Sequence, residues 1–110
     1  MASLFGLFRF DVERRVARDI AEMLGKKISA KLMTERRQAL SAKRISQHLE
    51  DAYAQATEAF TGRRLGMIRR AVLANTFRWE LKSAGFPDDF ISVATEGLIV
   101  ALTPGWKKVS

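Results

Sequence analysis

The sequence predicts an all-α protein, a small bundle of three to four helices. Apolar side chains recur at helical spacing in four segments, and glycines and a proline stand at the boundaries of these segments. The chain has 110 residues, of which 47% are hydrophobic, and this is typical of one globular domain with a modest core. We therefore expect a single helical domain over residues 11–103, between an apolar N-terminal arm (residues 1–10) and a short basic tail (residues 104–110).

The first helix is predicted from Asp11 to about Gly25. Its apolar positions share one face, and they are Val12, Val16, Ile20, Met23 and Leu24. Asp11 has the side chain of an N-cap, and Gly25 is a typical helix stop. The sequence pattern of residues 26–40 does not show whether this segment is a helix or a loop.

The second helix is predicted from about Ser41 to Gly62. One face carries Ala42, Ile45, Leu49, Ala52, Ala56 and Phe60. Because Ala52, Ala56 and Ala59 have small side chains, a neighbouring helix can approach closely.

A third helix is predicted from about Arg64 to Ser83, with Gly85 ending it. Its apolar side chains fall on two sides, with Leu65, Ile68, Val72 and Trp79 on one and Leu73 and Phe77 on the other. This wide apolar surface predicts a central helix with Trp79 in the core.

The last segment permits two structures. Pro87, followed by Asp88 and Asp89, predicts a fourth helix, because proline suits the first helical position and carboxylates stabilise the positive helix end. A β-hairpin over residues 90–103 is the alternative, since strand-forming side chains flank Glu96-Gly97. The helix is preferred because Glu-Gly is a poor tight turn.

Two groups of basic residues have few acidic residues near them in the sequence. The chain carries 19 Lys and Arg against 12 Asp and Glu, a net charge of +7. On the first helix, acids alternate with bases at four-residue spacing, so these charges are expected to pair. On the third helix, one side of the helical wheel gathers Arg63, Arg64, Arg70, Arg78 and Lys82. A second cluster near the start of the second helix contains Arg36, Arg37, Lys43 and Arg44.

These clusters predict an anion-binding surface, and the excess of arginine over lysine favours phosphate. The leading hypothesis is a non-enzymatic protein that binds nucleic acid, or a nucleoprotein assembly, with little sequence preference. The alternative is a homo-oligomeric interaction module that binds an acidic protein partner. A third interpretation needs no ligand, because the arginines can pair across the fold with Asp88, Asp89 and Glu96.

The N-terminal arm is more apolar than a free tail normally is, since it contains Phe5, Leu7, Phe8 and Phe10. Packing into the bundle is the first expectation. A homo-oligomer interface is the second, and contact with a membrane surface is the third.

No pattern predicts catalysis, a metal site or a cofactor. A chain without cysteine has neither disulfides nor a thiolate zinc site. The only histidine, His48, lacks partners at metal-ligand spacing and is expected to pair locally with Asp51. Signal-peptide and membrane-spanning patterns are not found, so a cytoplasmic location is expected.

Overall fold

The computed structural model describes residues 10–60 and 65–103, and within these ranges the secondary structure is entirely helical. The elements are α1 Asp11–Lys27, α2 Ala30–Glu35, a 3₁₀ turn Arg37–Ala39, α3 Ala42–Ala59, α4 Met67–Ser83 and α5 Asp88–Leu102. The predicted all-α class and the four long helices are confirmed. None of the described helices combines the length and the apolar composition needed to cross a membrane.

The four long helices form a bundle in which α1 and α5 each pack against both α3 and α4. Ala30, which follows α1, lies close to Gly85, which follows α4. Arg37, which precedes α3, pairs with Asp89 in the first turn of α5. Thus α1 and α4 run parallel to each other, and α3 and α5 run in the opposite direction. We call the end that holds the last turns of α1 and α4 the α2 end.

The core is formed by one face of each long helix. Its largest fully buried side chains are Phe77, Ile20, Leu24, Leu73, Leu81 and Leu98. From α3 the core receives Ala52 and Ala56, both 0% exposed, so two of the three alanines predicted to face a neighbouring helix do so. The third, Ala59, is exposed in the last turn of α3. Burial of these apolar side chains is the main source of stability in a bundle of this size.

One close contact joins α3 to α5. The Tyr53 hydroxyl donates a hydrogen bond of 2.7 Å to the Ala94 carbonyl oxygen. The same ring lies over Gly97, where an added Cβ would stand 2.7 Å from Tyr53 Cζ. Burial raises the pKa of Tyr53 to about 12. Gly97 therefore provides the space that the tyrosine ring occupies.

The helix preferred for the last segment is present. Residues 88–102 form α5, so the alternative hairpin over residues 90–103 has no support. Asp88 and Asp89 lie in its first turn, and Asp89 Oδ1 accepts a hydrogen bond of 2.8 Å from the Phe90 N–H. Before this helix, Gly85 has φ +93°, a left-handed conformation that glycine adopts without strain.

Two predicted boundaries of α1 are wrong. The helix continues past Gly25 to Lys27, because burial of Leu24 and Ile28 on either side outweighs the modest cost of an internal glycine, about 1 kcal/mol. Phe10 takes the N-cap position, and Asp11 is the first helical residue. The ambiguous segment over residues 26–40 contains the end of α1, α2 and the 3₁₀ turn.

The core assignment of Trp79 is also wrong. Trp79 is 57% exposed and Ile68 is 62% exposed, whereas Leu73, Phe77 and Leu81 are each 0% exposed. These three leucine and phenylalanine side chains recur every four residues and form one continuous row along α4. Because α4 packs mainly against α1 and α5, the part of its surface that carries Ile68 and Trp79 stays in contact with solvent.

Candidate nucleic-acid interface

The outer face of α4 near the α2 end carries an exposed aromatic side chain between two cations. Trp79 is 57% exposed, and Lys82 Nζ lies 5.6 Å from the centroid of its ring, within the range of a cation–π contact. Arg78, the neighbour of Trp79, is exposed as well. We call Arg78, Trp79 and Lys82 the α4 platform.

A groove of about 200 Å³ lies beside this platform, between α4 and α5. Its lining residues are Arg78, Lys82, Asp88, Ile91 and Ser92. Within the described part of the chain, neither Arg78 nor Lys82 has a carboxylate at ion-pairing distance. The groove therefore has two cations, one carboxylate and one hydroxyl next to an exposed indole.

The other basic residues predicted for this face are not all part of it. Arg70 is half-buried and lies eight residues before Arg78, about 12 Å along the helix axis. It is not part of the platform, because a helical wheel shows direction around the axis but not distance along it. Arg63 and Arg64 lie outside the described residues.

In the second basic cluster, Arg37 already has a partner. Its Nη1 and Nη2 atoms donate to the two carboxylate oxygens of Asp89 at 2.6 and 2.9 Å, and its Nε donates to the Met33 carbonyl oxygen at 3.2 Å. This is the cross-fold pairing that the sequence allowed as an alternative to ligand binding. The Arg37 guanidinium is engaged with Asp89 in this structure, and its binding to an anion stays a prediction.

The remaining members of the second cluster are exposed. Arg36 follows the last turn of α2, and Lys43 and Arg44 lie in the first turn of α3. Arg44 lines a cleft together with Lys27, a residue that the sequence did not single out. On α1, one of the expected pairs forms, with Lys26 Nζ 3.6 Å from Glu22 Oε1.

The Arg37–Asp89 pair gives a pH-dependent prediction. Its hydrogen bonds lower the pKa of Asp89 from an ordinary 3.8 to about 2. The pair therefore stabilises the fold at pH values above 3.8, the ordinary pKa of this carboxyl group. Its contribution is lost as the pH falls from 3.8 towards 2 and Asp89 becomes protonated. In Arg37→Gln, we expect the Asp89 pKa, followed by carboxyl-carbon NMR, to return towards 3.8. Arg36→Gln is the matched control, and an unchanged pKa in Arg37→Gln would contradict the assignment.

The predicted oligomer interface falls mostly outside the described residues, because Phe5, Leu7 and Phe8 precede residue 10. Phe10 is half-buried at the N-cap position of α1, and its carbonyl oxygen accepts a hydrogen bond of 2.9 Å from the Arg14 N–H. The interface stays a prediction.

Comparison of the chain with protein-family models, with curated proteins and with solved structures finds no match. Over residues 10–60 and 65–103, no group of three or more carboxylate or histidine side chains is placed to hold a metal ion.

Proposed function

We propose that the protein is a non-enzymatic binding protein that holds nucleic acid on the α4 platform, with a preference for single strands. The observation that carries the proposal is the exposure of Trp79, 57%, between Arg78 and Lys82. A tryptophan ring at the surface of a basic helix can stack on an unpaired base, and the adjacent cations can reach the flanking phosphates. In a duplex the bases are paired and stacked on each other, so few base faces are accessible to Trp79.

A base stacked on Trp79 would supply affinity without selecting a sequence. Stacking of a base on an aromatic side chain contributes about 1 to 3 kcal/mol and tolerates any base, which fits binding with little sequence preference. Lys82 now contacts the face of Trp79. Because the exposed lysine side chain is flexible, it can move to a phosphate while a base takes its place over the indole.

The electrostatic part of the proposal is tested by the salt dependence of binding to a single strand. Each phosphate contact releases about 0.7 counterion, so Arg78→Gln and Lys82→Gln should each reduce the slope of log affinity against log salt by about that amount. Arg69→Gln is the matched control, because Arg69 is exposed on the same helix but does not line the groove. A wild-type protein that binds no DNA or RNA at low salt would contradict the proposal.

A homo-oligomeric interaction module that binds an acidic protein is the second candidate. It is favoured by exposed apolar side chains on α5, where Val93 is 62%, Ile99 40% and Val100 37% exposed. Val93 and Val100 are seven residues apart and so share one face of α5, and an apolar patch at the surface can mark a protein interface. Light scattering on the full-length chain and on a variant without residues 1–10 separates the candidates, because only this candidate requires a dimer that the deletion weakens.

A further inference from the structure

A surface cleft of about 270 Å³ lies between the last turn of α1 and the first turns of α3, at the α2 end. Its polar lining residues are Lys27, Ser41, Arg44 and His48, and its apolar ones are Ile28, Ala39, Leu40 and Ile45. No acidic residue of the described ranges lines it. The cleft therefore combines two permanent cations with an apolar wall.

The polar groups of the cleft are arranged to donate hydrogen bonds. Arg44 and His48 are four residues apart, so they lie on the same face of α3. The Ser41 side-chain oxygen accepts a hydrogen bond of 3.3 Å from the Arg44 N–H, which leaves the Ser41 O–H as a donor. The first turn of α3 adds the positive end of a helix dipole.

The positive charge of the cleft and its apolar wall together favour a phosphate monoester as the ligand. A carboxylate brings one negative charge, whereas a phosphate monoester brings nearly two at neutral pH and can balance both Lys27 and Arg44. Arginine also binds phosphate oxygens with two parallel hydrogen bonds. The half-buried side chains of Leu40 and Ile45 supply the exposed part of the apolar wall, which can cover the organic part of such a molecule.

We propose that this cleft binds a phosphate monoester, carried either by a free small molecule or by the end of a nucleic-acid strand. Lys27 and Arg44 bind the phosphate oxygens, and Ser41 and His48 donate further hydrogen bonds. The cleft is lined by α1 and α3 and the residues between them, whereas the α4 platform lies on α4, so this site does not rest on the proposed function.

The first test uses AMP as the probe, with adenosine as the comparison that lacks the phosphate, and measures binding by titration calorimetry. AMP should bind more tightly than adenosine. Arg44→Gln and Lys27→Gln should each weaken AMP binding by about tenfold or more, since each removes a charge-assisted hydrogen bond. Lys31→Gln is the matched control, because it removes the same charge from an exposed residue that does not line the cleft. In a Trp79→Ala background, which removes stacking of adenine on the α4 platform, Arg44→Gln and Lys27→Gln should weaken AMP binding by the same factors as in the wild-type background.

The second arm identifies the source of the phosphate by comparing a short single strand with and without a 5′-phosphate. If the strand end occupies the cleft, the 5′-phosphate should strengthen binding to the wild type but not to Arg44→Gln. If a free small molecule is the ligand, only AMP binding should depend on Arg44. The proposal is overturned if AMP binds no better than adenosine, or if AMP binding is equal in the wild type, Lys27→Gln and Arg44→Gln. Circular dichroism checks that each variant is folded.

Discussion

Phe77→Ala is expected to lower the free energy of unfolding by about 3 to 5 kcal/mol, a large share of the stability of a domain this small. Phe77 is 0% exposed and belongs to the buried row of α4, so its removal leaves a cavity that the neighbouring helices cannot fill. Denaturant unfolding followed by circular dichroism measures the change.

Trp79→Ala, two residues along the same helix, is the matched comparison. Because Trp79 is 57% exposed, its removal is expected to cost at most about 1 kcal/mol. The sequence predicted the reverse, with Trp79 in the core. An unfolding midpoint that drops more for Trp79→Ala than for Phe77→Ala would mean that α4 faces the other way and that the α4 platform does not exist.

Gly97→Ala is expected to destabilise the protein by about 1 to 2 kcal/mol, although alanine is the better helix former by about 1 kcal/mol. The added Cβ would stand 2.7 Å from Tyr53 Cζ, so the ring must move away and lose its hydrogen bond to Ala94. Once the ring is in solvent, the pKa of Tyr53 should fall from about 12 towards its ordinary 10.0. Tyr53 is the only tyrosine, so tyrosinate absorbance reports this pKa directly.

A double-mutant cycle isolates the contact between Gly97 and Tyr53. In a Tyr53→Ala background the ring is gone, and Gly97→Ala should then stabilise the protein by about 1 kcal/mol through helix propensity alone. The effect of the same substitution therefore changes sign with the residue at position 53. A destabilisation of equal size in both backgrounds would show that the cost of Gly97→Ala does not come from Tyr53.

The fold class was predictable because helical periodicity and boundary residues agree along most of the chain. Ser41 illustrates this agreement, since the predicted start of this helix proves to be the N-cap of α3, with its side-chain oxygen accepting from the Arg44 N–H. What periodicity could not decide was which of two apolar sides of α4 is buried, because that depends on the helices packed against it. The row formed by Leu73, Phe77 and Leu81 was the signal that would have placed Trp79 outside.

The candidate sites were harder to predict than the fold. The basic residues on α4 were identified by their lack of nearby acids, whereas the local pattern did not specify that Arg37 pairs with Asp89, which is distant in sequence. Glu13 was also missed as a buried residue. It is 5% exposed, and its spacing of four from Ala17 on the inner face of α1 was the available signal. Pairings between distant segments depend on tertiary structure, which a local pattern does not contain.

The most direct test of nucleic-acid binding is the fluorescence of Trp79 during titration with a single strand. The chain has two tryptophans, so Trp106→Phe leaves Trp79 as the only one. Stacking of a base on Trp79 predicts strong quenching by a single strand, weaker quenching by a duplex of the same length, and a loss of affinity of about 1 to 3 kcal/mol in Trp79→Ala with the fold intact. Binding of the strand with no change in Trp79 emission, and with equal affinity in Trp79→Ala, would contradict the α4 platform as the binding site.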